Sequence, residues 1–62
     1  MFNIDIDNFV LLSLINTKLR NSGKKLDELC YDLQINISDL KNRLHDIGYV
    51  YDEEQNHFAT IL

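Results

Sequence analysis

Apolar positions recur with two different periods along this chain. In the opening segment MFNIDID they alternate, with Phe2, Ile4 and Ile6 on one side and Asn3, Asp5 and Asp7 on the other. Successive side chains of a strand point to opposite faces, so this segment predicts a short N-terminal strand with one buried face. From Asp7 to Gly23 the spacing changes to three and four, which predicts a first helix. Asp7 or Asn8 can accept a bond from the first free backbone N–H groups. Lys18 and Arg20 fall in the last turn, where cations suit the helix dipole, and Gly23 suits the left-handed position just beyond.

The helical spacing then repeats twice. KLDELCYDLQ predicts a second helix, with Leu26, Leu29, Cys30 and Leu33 as one apolar stripe and Asp27 and Glu28 in its first turn. NISDLKNRLHDIG predicts a third, with Asn36 as N-cap, Asp39 as an imperfect capping-box partner, and Ile37, Leu40, Leu44 and Ile47 facing the core. Gly48 ends it. Tyr49, Val50 and Tyr51 return to strand preference, DEEQN reads as a turn, and His57 to Leu62 as the returning strand of a hairpin.

The predicted fold class is therefore α+β. It comprises a three-helix, helix-turn-helix-like core with a C-terminal β-hairpin, winged-helix-like in order, and the short N-terminal strand. We read residues 1–62 as a single domain, because a chain this short buries only about 60% of its unfolded surface and leaves little room for a deep cleft. Leu29, Cys30, Leu33, Ile35 and Leu40 fall where helix-turn-helix motifs place apolar residues. Gln34 departs from that pattern. It occupies the turn position where glycine is usual, so either it adopts a left-handed conformation at about 1 kcal/mol or the turn differs.

Charge bears on what such a motif can do. Ten carboxylates against six lysines and arginines give a net charge of −4, a poor start for binding phosphates. The residues that would meet a DNA groove are Asn36, Ser38, Lys41 and Asn42, with Arg43 on a phosphate. Asp39 and Asp46 flank them, and the tip of the wing is Asp52-Glu53-Glu54. Lys18, Arg20, Lys24 and Lys25 cluster away from that surface. A DNA-binding transcriptional regulator is accordingly the alternative reading.

The first helix points elsewhere. At 100° per residue Leu12, Ile15 and Leu19 share a face, with Phe9 and Leu11 at its edges, while Val10 and Leu14 lie nearly opposite. A helix apolar most of the way round is buried on two sides. Either the N-terminal strand covers the second side, or Val10 and Leu14 form a protein interface, of which a twofold homodimer is the commonest kind. The leading expectation is a non-catalytic protein-interaction module, a homodimer that uses Val10 and Leu14.

The chemical candidates are weak. Cys30 sits between Leu29 and Leu33 in sequence pattern, the setting of a buried, inert thiol rather than of a nucleophile served by His45 or His57. No metal-ligand spacing, phosphate loop or serine elbow occurs, and DIDN lacks the glycine and glutamate of a calcium loop. We expect no cofactor and no small-molecule substrate. Tyr49, Tyr51 and Phe58 lack flanking cations and read as packing rather than as a base-stacking platform. The longest apolar run, Phe9 to Ile15, is broken by Ser13 and far short of the ~20 residues that span a bilayer. It lacks the features of a signal peptide, and a lone cysteine excludes an intrachain disulfide. The expected setting is cytoplasmic.

Three separated blocks, LLSLINTKLR, LDELCYDL and IGYVYDEEQNHF, resemble in order a family of small bacterial proteins, domain-of-unknown-function family 4250. The resemblance spans roughly residues 9 to 58. It implies a compact, stand-alone bacterial protein and carries over no activity, ligand or catalytic residue.

Overall fold

In a computed structural model that describes residues 6–61, helix α1 runs over Asn8–Ser22, α2 over Leu26–Leu33 and α3 over Ile37–His45. Strands β1, Tyr49–Asp52, and β2, His57–Thr60, form an antiparallel hairpin. The domain is α+β, three helices followed by a two-stranded hairpin. The expected N-terminal strand falls largely on residues 1–5, outside the described residues. Ile6 lies in a bend, half-buried against the core.

Local chemistry sets the helix ends. Asp7 caps α1, its Oδ1 accepting from the Phe9 N–H at 3.1 Å. Gly23 closes α1 with φ 69°, its N–H donating to the Leu19 carbonyl at 3.1 Å. Asn36 caps α3, accepting from the Asp39 N–H at 3.0 Å. Helix α3 stops at His45, earlier than the sequence pattern implied. Residues 46–48 instead form a tight turn in which Ile47 and Gly48 donate to the carbonyls of Leu44 and His45. Gly48, at φ 84°, then turns the chain into β1, a conformation that a side chain would oppose.

The core is drawn from every element. Leu11, Ile15 and Leu19 come from α1, and Leu26, Leu29 and Cys30 from α2. Ile35 joins from the turn, Leu40 and Leu44 from α3, and Phe58 from β2. Full burial of one such aliphatic side chain contributes about 1.5–3 kcal/mol. The stripes expected on α2 and α3 are those observed, with Leu33, Ile37 and Ile47 packed at the margin. The face of α1 is rotated from the expected one. Leu11 is fully buried and Leu12 only half-buried, with Ile15 at the centre of the arc, because α1 packs on both α3 and β2 and its buried arc is set by that pair of neighbours.

The hairpin is held to the helices through both strands, β2 on α1 and β1 on α3. Asn16, midway along α1, donates from Nδ2 to the Phe58 carbonyl at 3.1 Å and accepts the Phe58 N–H on Oδ1 at 2.7 Å. One side-chain amide thus takes the place of a neighbouring strand. At the loop, Asp52 Oδ1 accepts from the N–H groups of Glu54 and Gln55, and Asn56 is left-handed at φ 54°. Asn56 Nδ2 donates to the Lys24 carbonyl at 2.8 Å, and Tyr51 donates its hydroxyl proton to Asn56 Oδ1. Tyr51 and Phe58 are cross-strand partners with ring centroids 5.6 Å apart.

Candidate interaction surfaces

Three surfaces carry the candidate residues. The first is the outer side of α1, where Val10 and Leu14 are exposed; Phe9, also exposed, lies on another flank of the helix, beside Leu12 and Asn16. Val10 and Leu14 lie one turn apart, well away from the buried Leu11–Ile15–Leu19 stripe.

The second is the helix-turn-helix unit. Gln34 adopts the left-handed conformation that the turn requires, φ 58° and ψ 42°, although it is not glycine. The turn is held by Gln34 N–H to the Tyr31 carbonyl at 3.2 Å and Ile35 N–H to the Cys30 carbonyl at 2.9 Å. The conformation costs about 1 kcal/mol, which the buried Ile35 side chain offsets. Ser38, Lys41 and Asn42 are exposed on α3, and Asn36 is exposed at its start with Oδ1 engaged as the cap.

Arg43 stands apart from that group. Its Nε donates to Asn8 Oδ1 at 2.9 Å and its Nη2 to the Ile6 carbonyl at 2.7 Å, so it turns inward and ties α3 to the start of α1. A phosphate-contacting role is not the one this geometry gives it. The cations beyond α1 are also partly engaged. Lys24 pairs with Asp32, and Lys25 Nζ reaches the Glu53 carbonyl at 3.4 Å. The Asp32 hydrogen bond and charge hold the Lys24 ammonium above its usual range.

The third surface lies between α3 and the hairpin. A shallow cavity of about 390 Å³ is lined by Lys41, Asn42 and His45 from α3 and by Tyr49, Val50 and Tyr51 of β1. A neighbouring one of about 410 Å³ shares Lys41, Tyr51 and Glu53 with it and continues to Lys25 and Ile37. The sequence pattern assigned Tyr49 and Tyr51 to packing, and both do pack against the core, yet both also border this groove.

Cys30 is buried, and desolvation, with a smaller push from Asp27, raises its thiol above the usual range. It is a core side chain. Among the described residues no group of three or more His, Cys, Asp or Glu side chains is placed to hold a metal ion. No described helix is long and apolar enough to cross a membrane.

A comparison with protein families matches residues 5–58 of the chain. The chain belongs to the family described as a domain of unknown function, DUF4250. The match extends beyond the quoted blocks at the N-terminal end, taking in Asp7, the α1 cap, and Ile6 and Asn8, which receive Arg43. No curated protein and no solved structure matches the chain. The family brings no function with it, so any functional reading rests on the surfaces described above.

Proposed function

We propose that this DUF4250 chain is a small, non-catalytic protein-interaction module that pairs with a second copy of itself through α1. The observation that carries the reading is the exposure of Val10 at 50% and Leu14 at 39%, one turn apart, on a helix whose other side supplies three fully buried core residues. In a chain this small, an apolar stripe on the longest helix marks a contact surface. A twofold axis across α1 covers it with an identical stripe.

Leu14→Asp tests the reading by sedimentation equilibrium over a concentration series. The expected result is a lower weight-average mass at every concentration, with the helical circular dichroism unchanged. A mass that stays at the wild-type value overturns it.

A winged-helix-like DNA-binding regulator is the second reading, and the left-handed turn at Gln34 is the observation that favours it. It has less to work with than the sequence implied. With Arg43 turned inward, Lys41 is the one cation left among the five residues proposed to meet DNA, and the wing tip remains acidic. The interaction-module reading is therefore preferred.

A further inference from the structure

Phe9 and Arg20 serve neither the core nor the α1 surface proposed above, yet they share one flank of that helix. Phe9 is 60% exposed. Among the described residues no hydrogen bond or ion pair engages the Arg20 guanidinium. Between them runs a groove of about 700 Å³, with α1 as one wall and the hairpin as the other. Leu12, Ser13 and Asn16 continue the α1 wall at helical spacing. At about 1.5 Å per residue, Phe9 and Arg20 mark ends roughly 16 Å apart.

The hairpin gives those ends opposite character. Asn16 holds Phe58 at mid-groove, and Asn56 bonds to the Lys24 carbonyl just past Arg20. Strand β2 therefore runs antiparallel to α1. Gln55 and His57 fall toward Arg20, and Tyr49, the cross-strand partner of Thr60, falls toward Phe9. One end is apolar, built from Phe9, Leu12 and Tyr49. The other offers the Arg20 guanidinium, the Gln55 amide and the His57 imidazole. The amides of Asn16 and Asn56 also line the groove, but both are spent on backbone partners. No carboxylate lines it, although the chain carries ten. Asp52, opposite His57 in the ladder, lies outside the lining, and its Oδ1 accepts from the Glu54 and Gln55 N–H groups.

We propose that this groove binds an elongated monocarboxylic acid, its carboxylate on Arg20 and its apolar chain against Leu12, Tyr49 and Phe9. A guanidinium presents two parallel N–H donors that match the two oxygens of a carboxylate. One cation on the wall suits a singly charged head better than a phosphate. Covering the exposed Phe9 ring supplies affinity, and Arg20 sets which way the acid lies. The volume is that of an ordinary small-molecule site, in which a few polar groups orient a largely apolar ligand. The distance between the ends selects a linear acid over a compact one, since a short acid on Arg20 leaves Phe9 uncovered.

This site does not depend on pairing through α1. Val10 and Leu14 do not line the groove. An acid bound here leaves them open to a second copy.

Sodium decanoate, kept below micelle-forming concentration, is the probe, and residue-resolved amide NMR reads its binding. The expected result is a saturable set of shifts centred on Phe9, Leu12, Arg20 and His57. Arg20→Gln is expected to weaken decanoate binding by about fivefold to tenfold and to leave decanol, the same chain without the charge, unaffected. Phe9→Ala weakens both ligands. Both side chains are exposed, so neither substitution opens the core. Lys18→Gln removes a cation of the same helix from outside the groove and is expected to change nothing. Acetate, which reaches Arg20 alone, binds far more weakly than decanoate.

The proposal is overturned if the shifts do not saturate, or if Arg20→Gln and Lys18→Gln act equally, which is the response of bulk charge. It is also overturned if Leu14→Asp abolishes decanoate binding, because the acid then sits on the outer stripe of α1. Decanoate binding that survives Leu14→Asp while the sedimenting mass falls supports both readings. Binding that survives while the mass stays unchanged supports the groove and sinks the α1 pairing.

Discussion

The two strands of the hairpin are equal in length and joined in one register, yet β2 is part of the core and β1 is half surface. Phe58 of β2 is fully buried, and Asn16 closes its outward backbone groups. Tyr49 and Tyr51 of β1 pack against the core, while among the described residues nothing pairs with their outward backbone groups. A two-stranded hairpin is marginal by itself in water. β2 is fixed by a helix side chain that imitates a strand, whereas β1 is held to α3 by side-chain packing. Stability and availability for pairing are thus divided between two neighbouring strands.

The largest break in that asymmetry comes from the aromatic beneath the closed strand. Phe58→Ala is expected to lose about 3–5 kcal/mol, enough to unfold a domain of this size, in thermal or urea unfolding followed by circular dichroism. Asn16→Ala removes the imitation strand and leaves a part-buried N–H and C=O unpaired. We expect a loss of about 1–3 kcal/mol in the same assay, with the helices retained below the transition. The smallest perturbation is isotopic. In amide exchange on dilute protein, Phe58 should be protected well above Tyr51, its cross-strand partner, and Asn16→Ala should erase the difference. Equal protection of the two amides in the wild type would mean that the edges are not distinct.

Much of the fold was legible in the sequence. The three-and-four spacing located all three helices to within a residue or two, except that α3 ends at His45 rather than running to Gly48. Asp7, Asn36 and Gly23 take the end positions their chemistry suited. Gln34 resolved one open alternative: the backbone is left-handed there despite the missing glycine. The candidate surfaces were legible only in part. Val10, Leu14, Ser38, Lys41 and Asn42 are exposed as a helical wheel places them, while Arg43, an ordinary surface cation by sequence pattern, turns inward. Asn16 gave no signal at all, because a polar residue inside an apolar helix looks like an interruption until its partner is known.

Sequence alone determined the helix positions, their caps, the reversal at Gly48 and the acidic wing tip, since each depends on neighbours within a turn or two along the chain. Tertiary structure decided which arc of α1 is buried, where Arg43 is anchored and which edge of the hairpin is closed. Those outcomes join residues 35, 37 and 42 positions apart. No local period encodes such a pairing. It is set when the helices pack and a buried backbone group must find a partner or lose the hydrogen bond it had with water.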